Sequence, residues 1–108
     1  MLWEKQKIEV TVSAGTGASN TGNTKGELSQ LVVLPLNGTA LQTSSSWDLD
    51  IIDKDNDKVC VYTGIVGRLD DRTILPVGSD AVQKYTLQFT NITGTVTTMS
   101  TMMKVKEQ

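Results

Sequence analysis

Polar and apolar residues alternate along most of this chain with a period of two. In "QKIEVTVS" (6–13), Ile8, Val10 and Val12 fall on one side and Lys7, Glu9 and Thr11 on the other, the pattern of a half-buried strand. "WDLDIID" (47–53) and "KVCVYTG" (58–64) alternate likewise around an acidic tip. "QKYTLQFTN" (83–91) sets Tyr85, Leu87 and Phe89 inward against Lys84, Thr86 and Gln88. "TVTTMSTMMKVKE" (95–107) sets Met99, Thr101, Met103 and Val105 against Ser100, Met102 and Lys104. "ELSQLVVLPL" (27–36) is more continuously apolar, and Pro35, which lacks an N–H donor, marks an edge position or strand end there. "GIVGRL" (64–69) and "RTILPVG" (72–78) are shorter pieces around Asp70 and Asp71, with Pro76 again marking an edge. No window carries an amphipathic helix of useful length. Seven to eight short strands separated by turn signals predict a single all-β domain over residues 1–108, an antiparallel β-sandwich, jelly-roll-like.

One stretch escapes the pattern. "SAGTGASNTGNTKG" (13–26) has no large apolar side chain and four glycines, so it has little to bury and much chain entropy to lose. It reads as a long flexible loop or arm. Such loops carry contacts disproportionately, yet many are plain solvated excursions, and both readings stand at this point.

Composition narrows the chemistry. The chain has 108 residues and a net charge of −2, with 15 threonines, 8 serines and only 5 aromatic residues. Threonine and valine suit a pleated sheet. The ten basic residues are scattered, which argues against a nucleic-acid partner. Histidine is absent, removing the commonest general acid/base and the commonest neutral metal ligand. Cys60 is the single cysteine, so an internal disulfide is impossible, and its place in "KVCVY" reads as a small core residue. "MLWEKQKIEV" has no apolar run before a cleavage site, and no stretch approaches the ~20 apolar residues of a membrane helix. The expectation is a chain made in the cytosol with no membrane partner. The sequons at Asn37 and Asn91 are then unused, and Asn37-Gly38 reads as a turn.

The best cation candidate is the tip "DKDNDK" (53–58). Asp53, Asp55 and Asp57 occupy positions 1, 3 and 5 of a calcium loop, but Lys58 stands where the turn glycine belongs and Gly64 where the bidentate glutamate belongs. Strand register decides whether a simpler cation site survives. A two-residue loop at Asp55-Asn56 sets Asp53 opposite Lys58, Ile51 opposite Cys60 and Leu49 opposite Tyr62, with charges paired and one apolar face. A three-residue loop sets Asp53 opposite Asp57, where a cation would offset the repulsion. The two-residue register is self-consistent without metal and is the one expected; metal at Asp53, Asp55 and Asp57 belongs to the second register alone. No nucleophile–base pair can be assembled, and Asp48 and Asp50 lie on one outward strand face, so no catalytic residue is assigned.

The segment order "KGELSQLVVLP", "SSSWDLDIIDKDNDKVCVYTG", "GRLDDRTILPVGSDAVQKYTLQFTNITGTVTTMSTMMKVKE" resembles small β-sandwich virion proteins of tailed bacteriophages over most of residues 25–107. The matching motifs describe strands and turns rather than a site. The resemblance implies a non-enzymatic structural protein without cofactor that decorates the capsid and stabilises it by bridging major capsid protein subunits. Its partners would be the major capsid protein and itself, as dimer or trimer, on the virion surface after assembly in the host cytoplasm. The expected contacts are Leu2 and Trp3 in the N-terminal segment, and Gly15, Asn20, Asn23 and Lys25 in the 13–26 arm. The alternative is a carbohydrate-binding adhesion module of a tail or fibre, which needs exposed aromatic platforms.

Overall fold

The computed structural model describes the backbone of residues 2–22, 27–72, 75–76 and 84–107, and the side chains of 5–22, 29–72 and 84–104. Among these residues there are ten strands: β1 (Leu2–Thr11), β2 (Gly17–Asn20), β3 (Glu27–Asn37), β4 (Ala40–Leu41), β5 (Ser46–Ile52), β6 (Lys58–Val66), β7 (Leu69–Asp71), β8 (Leu75–Pro76), β9 (Thr86–Thr90) and β10 (Thr98–Glu107). They form two antiparallel sheets. One has six strands in the order β1-β10-β3-β4, with β7 and β8 also on β3; the other has four, β2-β9-β5-β6. The all-β sandwich expected from the alternation is the fold; the strands not anticipated are the short β2 and β4, while β8 falls within the expected 72–78 piece.

The alternation places the core where the sequence puts it. Val10 of β1, Trp47, Leu49 and Ile51 of β5, Leu87 and Phe89 of β9, and Met99 and Met103 of β10 are buried between the sheets with Leu31, Val33 and Tyr85. Trp47 and Phe89 meet edge to face at 5.7 Å between centroids and 60° between planes, an arrangement that aromatic quadrupoles favour. Ile8, Val12, Cys60 and Tyr62 pack against this cluster from the rims. Between β5 and β6, Leu49 stands opposite Tyr62 and Ile51 opposite Cys60, as the hairpin reading requires.

Pro35 is neither at an edge nor at a strand end. It lies within β3 opposite Met99, and its carbonyl accepts from Gln42 N–H at 2.8 Å. On that side of β3 the pairing with β7 stops at Val33 and that with β4 starts at Leu36, so the missing N–H falls in a gap between two short strands.

Residues 13–22 are not an open loop. Ser13 and Thr16 exchange backbone hydrogen bonds of 2.8 and 3.1 Å around Ala14 and Gly15, both at positive φ (53° and 77°), the geometry of a two-residue primed turn. β2 follows and pairs with β9 from Gly17–Phe89 to Asn20–Thr86. Thr21, nearly fully buried, donates its N–H to Tyr85 O at 2.8 Å and accepts Tyr85 N–H on its hydroxyl at 2.9 Å. β2 crosses close to β1: a Cβ on Gly17 would stand 2.6 Å from Thr11 O. Crowding, not looseness, selects glycine at 17. The remainder of the expected arm, 23–26, lies outside the described residues.

Thr101 is fully buried between Ile8 of β1 and Val33 of β3, and its hydroxyl finds no hydrogen-bond partner among the described residues. An unpartnered buried hydroxyl costs free energy that a methyl group of like shape does not. Thr101→Val is therefore expected to stabilise the fold by about 1 kcal/mol. Urea unfolding checks this: the midpoint should rise with an unchanged slope, and a lower midpoint contradicts the burial reading.

Candidate functional site

The acidic tip takes the three-residue register, but without the repulsion that would call for a cation. Asp53 N–H donates to Asp57 O at 2.9 Å and Asn56 N–H donates to Asp53 O at 3.1 Å, with Asn56 at φ 65°. Asp53 Oδ1 accepts the backbone N–H of Asp55 at 3.0 Å and of Asp57 at 2.9 Å. The carboxylate thus caps its own turn. Lys58 stands opposite Ile52, not Asp53, and its ammonium pairs with Asp50 at 3.3 Å, because Val59 bulges out of the ladder. Asp55 and Asp57 are exposed. Among the described residues no group of three or more Asp, Glu, Cys or His is placed to hold a metal ion, so Asp53, Asp55 and Asp57 do not converge on a site.

Asp48 does a different structural task from the one its outward strand position suggests. β6 carries one extra residue opposite Asp48, with Gly64 at φ 65°. Asp48 Oδ1 accepts Gly64 N–H at 2.8 Å and Oδ2 accepts the Asn91 side-chain amide at 2.8 Å, tying the bulge to the turn after β9. The Gly64 N–H, then the Asn91 amide, hold its carboxyl below the ordinary 3.8. A depressed carboxyl stabilises the fold above its unfolded pKa and loses that contribution as pH falls through the folded value. Wild type is therefore expected to lose stability more steeply than Asp48→Asn as pH falls below 3.8. Thermal melts from pH 5 to pH 2 read this out, and parallel curves for the two proteins contradict it.

At the rim between the sheets, Tyr62 of β6 donates its hydroxyl to Asp71 Oδ2 of β7 at 2.8 Å. Burial, then contact with Cys60 and Asp71, pushes the phenol far up, and burial pushes the Cys60 thiol up as well. A raised thiol is a poor nucleophile at neutral pH. Tyr62 and Asp71 form a polar clasp across the sandwich rim, with Cys60 packed beside it.

The expected contact residues do not gather in one place. Leu2 and Trp3 begin β1 opposite Glu107 and Lys106 of β10, with side chains outside the described residues. Gly15 sits in the turn at the other end of β1, its carbonyl accepting Ile92 N–H at 3.0 Å. Asn20 ends β2, accepting from Thr86 Oγ1 at 3.1 Å, and Gly22 N–H returns to Gln6 Oε1 at 3.0 Å. The fold thus carries Asn20 back along β1 toward Gln6 and leaves Gly15 apart. Asn23 and Lys25 lie outside the described residues.

A surface the alternation did not single out lies on the outer face of the six-stranded sheet. Val32, Leu34 and Leu36 of β3 and Met102 of β10 are half-buried, Leu41 of β4 is 42% exposed, and none of the five packs against the core. Antiparallel sheets with one wet face normally alternate; the unbroken run "LVVLPL" is the signal that β3 is apolar on both faces. β6, the end strand of the four-stranded sheet, exposes Val59, Val61 and Val66, with bulges at Val59 and Gly64 that disrupt a straight edge.

Together these elements define an all-β sandwich. No protein-family model, no curated protein and no solved structure matches the chain.

Proposed function

We propose that this chain is a non-enzymatic virion structural protein that decorates a phage capsid and stabilises it by bridging major capsid protein subunits. The observation that carries the reading is the strand order. With the two-residue strands β4 and β8 set aside, the sheets run β1-β10-β3-β7 and β2-β9-β5-β6. That order is the one expected of two interleaved Greek keys in a jelly roll, an architecture recurrent in viral capsid and lectin domains, and it supports the reading. The sequence resemblance to tailed-phage virion proteins points the same way. A rigid sandwich is suited to the task, since many symmetry-related copies hold a shell by avidity without strong single contacts. Binding the intact shell in preference to its dissociated subunits stabilises it by mass action.

The adhesion alternative lacks its platform among the described residues: Trp47, Tyr85 and Phe89 are buried, and Tyr62 is half-buried with its hydroxyl on Asp71. Hydrogen exchange on the free protein and on virions tests where the chain engages the shell. Slower exchange of residues 1–5 and 13–26 on virions is expected; equal rates in both states remove these segments as contacts.

A further inference from the structure

The outer face of the six-stranded sheet is built in rows by its register. One row reads Lys7, Met102, Val32, Asp70 across β1, β10, β3 and β7. The next reads Glu9, Ser100, Leu34, and Arg68, immediately before β7, continues it. Each flank carries an ion pair of alternating sign: Lys7 with Glu9 at 3.5 Å on one side, Asp70 with Arg68 at 3.4 Å on the other, where Arg72 at 3.5 Å and the Gln30 amide at 3.2 Å also reach Asp70. The middle is apolar at Met102, Val32 and Leu34, with Ser100 turned to Glu9 at 3.0 Å. Lys5 and Lys104 stand opposite each other one row beyond, at the rim.

We infer that this face is a homodimer interface, occupied by a second copy of the chain. A twofold axis parallel to the strands, lying between β10 and β3, carries β1 over β7 and β10 over β3 while keeping every row over itself. Lys7 then meets Asp70 of the second copy, Glu9 meets Arg68, and Met102 packs on Val32. In these two rows the flanks are complementary to their own twofold image, as an isologous interface demands, while Lys5 and Arg72 lie one row beyond at the solvated rim. Sheets packed face to face with strands nearly aligned, about 10 Å apart, accommodate this without backbone change. Four strands and four rows cover roughly 20 by 25 Å, about 500 Å² per copy. Two copies bury about 1,000 Å², the lower bound of a specific interface. The inference deepens the self-association in the virion reading and rests on that reading for its role, but the purified chain tests it without any shell. Shell binding by a monomer would sink this inference alone, and a dimer that ignores shells would sink the virion reading alone.

The test is sedimentation equilibrium of the full chain at roughly 100 µM, above the micromolar constants of the weaker standard-size interfaces. The expected mass is twice 11.7 kDa. Leu34→Lys, on the outward face, should sediment as a folded monomer with unchanged circular dichroism. Lys7→Glu and Asp70→Lys should each weaken the dimer about tenfold or more through like-charge contacts. Mixing those two variants should restore it, because each heterodimer contact then joins opposite charges, a rescue that misfolding cannot imitate. A monomeric wild type, a dimer untouched by Leu34→Lys (as pairing through the β6 edge would give), or no gain on mixing overturns the inference.

Discussion

Gly67→Ala is expected to cost about 3 kcal/mol and to lower the melting temperature by roughly 15 °C. Two independent causes add. Gly67 has φ 67°, where a Cβ costs about 1–2 kcal/mol. The same Cβ would stand 2.8 Å from Thr43 O, a backbone atom that cannot rotate away. Relief of that contact would move the Gly67 peptide, whose N–H donates to Ser45 O at 2.7 Å and whose carbonyl accepts the buried Trp47 Nε1–H at 2.9 Å. Gly38→Ala is the matched control, since Gly38 has φ 62° but open space around its Cβ. Gly38→Ala should cost about 1 kcal/mol, the backbone strain alone. Equal melting temperatures for the two variants would remove the Thr43 contact as a cause.

Gly17→Ala is expected to cost about 2–3 kcal/mol, although Gly17 does not occupy the left-handed region. Its Cβ would meet Thr11 O at 2.6 Å and Val10 Cγ1 at 3.0 Å, where β2 crosses β1 on its way to the other sheet. The sign of the effect is diagnostic. In a loose arm the same substitution would stabilise by about 0.4–1 kcal/mol, by restricting the unfolded chain. Denaturant unfolding of Gly17→Ala thus distinguishes a packed corner from a free arm in one measurement.

That corner shows where the sequence is hard to read. Alternation reveals which residues face inward as long as the inward positions are large: Ile8 and Val10, Leu49 and Ile51, Leu87 and Phe89 were all legible this way. β2 turns Gly17 toward the Thr11 backbone, and a pattern of small residues looks the same whether it is packed or free. The hairpin tip was legible in its strands but not in its loop. Leu49 and Ile51 find Tyr62 and Cys60 as the apolar pattern requires. The loop length was decided instead by Asp53, whose carboxylate takes two backbone N–H groups that no pairing of side-chain charges anticipates. Lys58 went to Asp50 for the same local reason, a bulge at Val59. Asp48 read as an ordinary wet acid because its two partners, Gly64 and Asn91, are brought to it only by the bulge and by β9. The two-faced apolar run of β3 was visible in the chain, and its consequence appears only when β10 and β7 set Met102 and Asp70 beside it.

Among the described residues, Asp48, Asp53, Thr21 and Tyr62 hold bulges, turns and rims. Under the virion reading, the contact surfaces are the β3 face, the β6 edge and the expected segments at 1–5 and 13–26. Co-sedimentation of the purified chain with shells and with isolated tails of its cognate phage tests the virion reading most directly. Saturable pelleting with shells, absence from tails, and a higher temperature of shell disassembly when the chain is bound are the results expected. A chain that stays in the supernatant with shells, or that fractionates with tails, would contradict a role in capsid decoration.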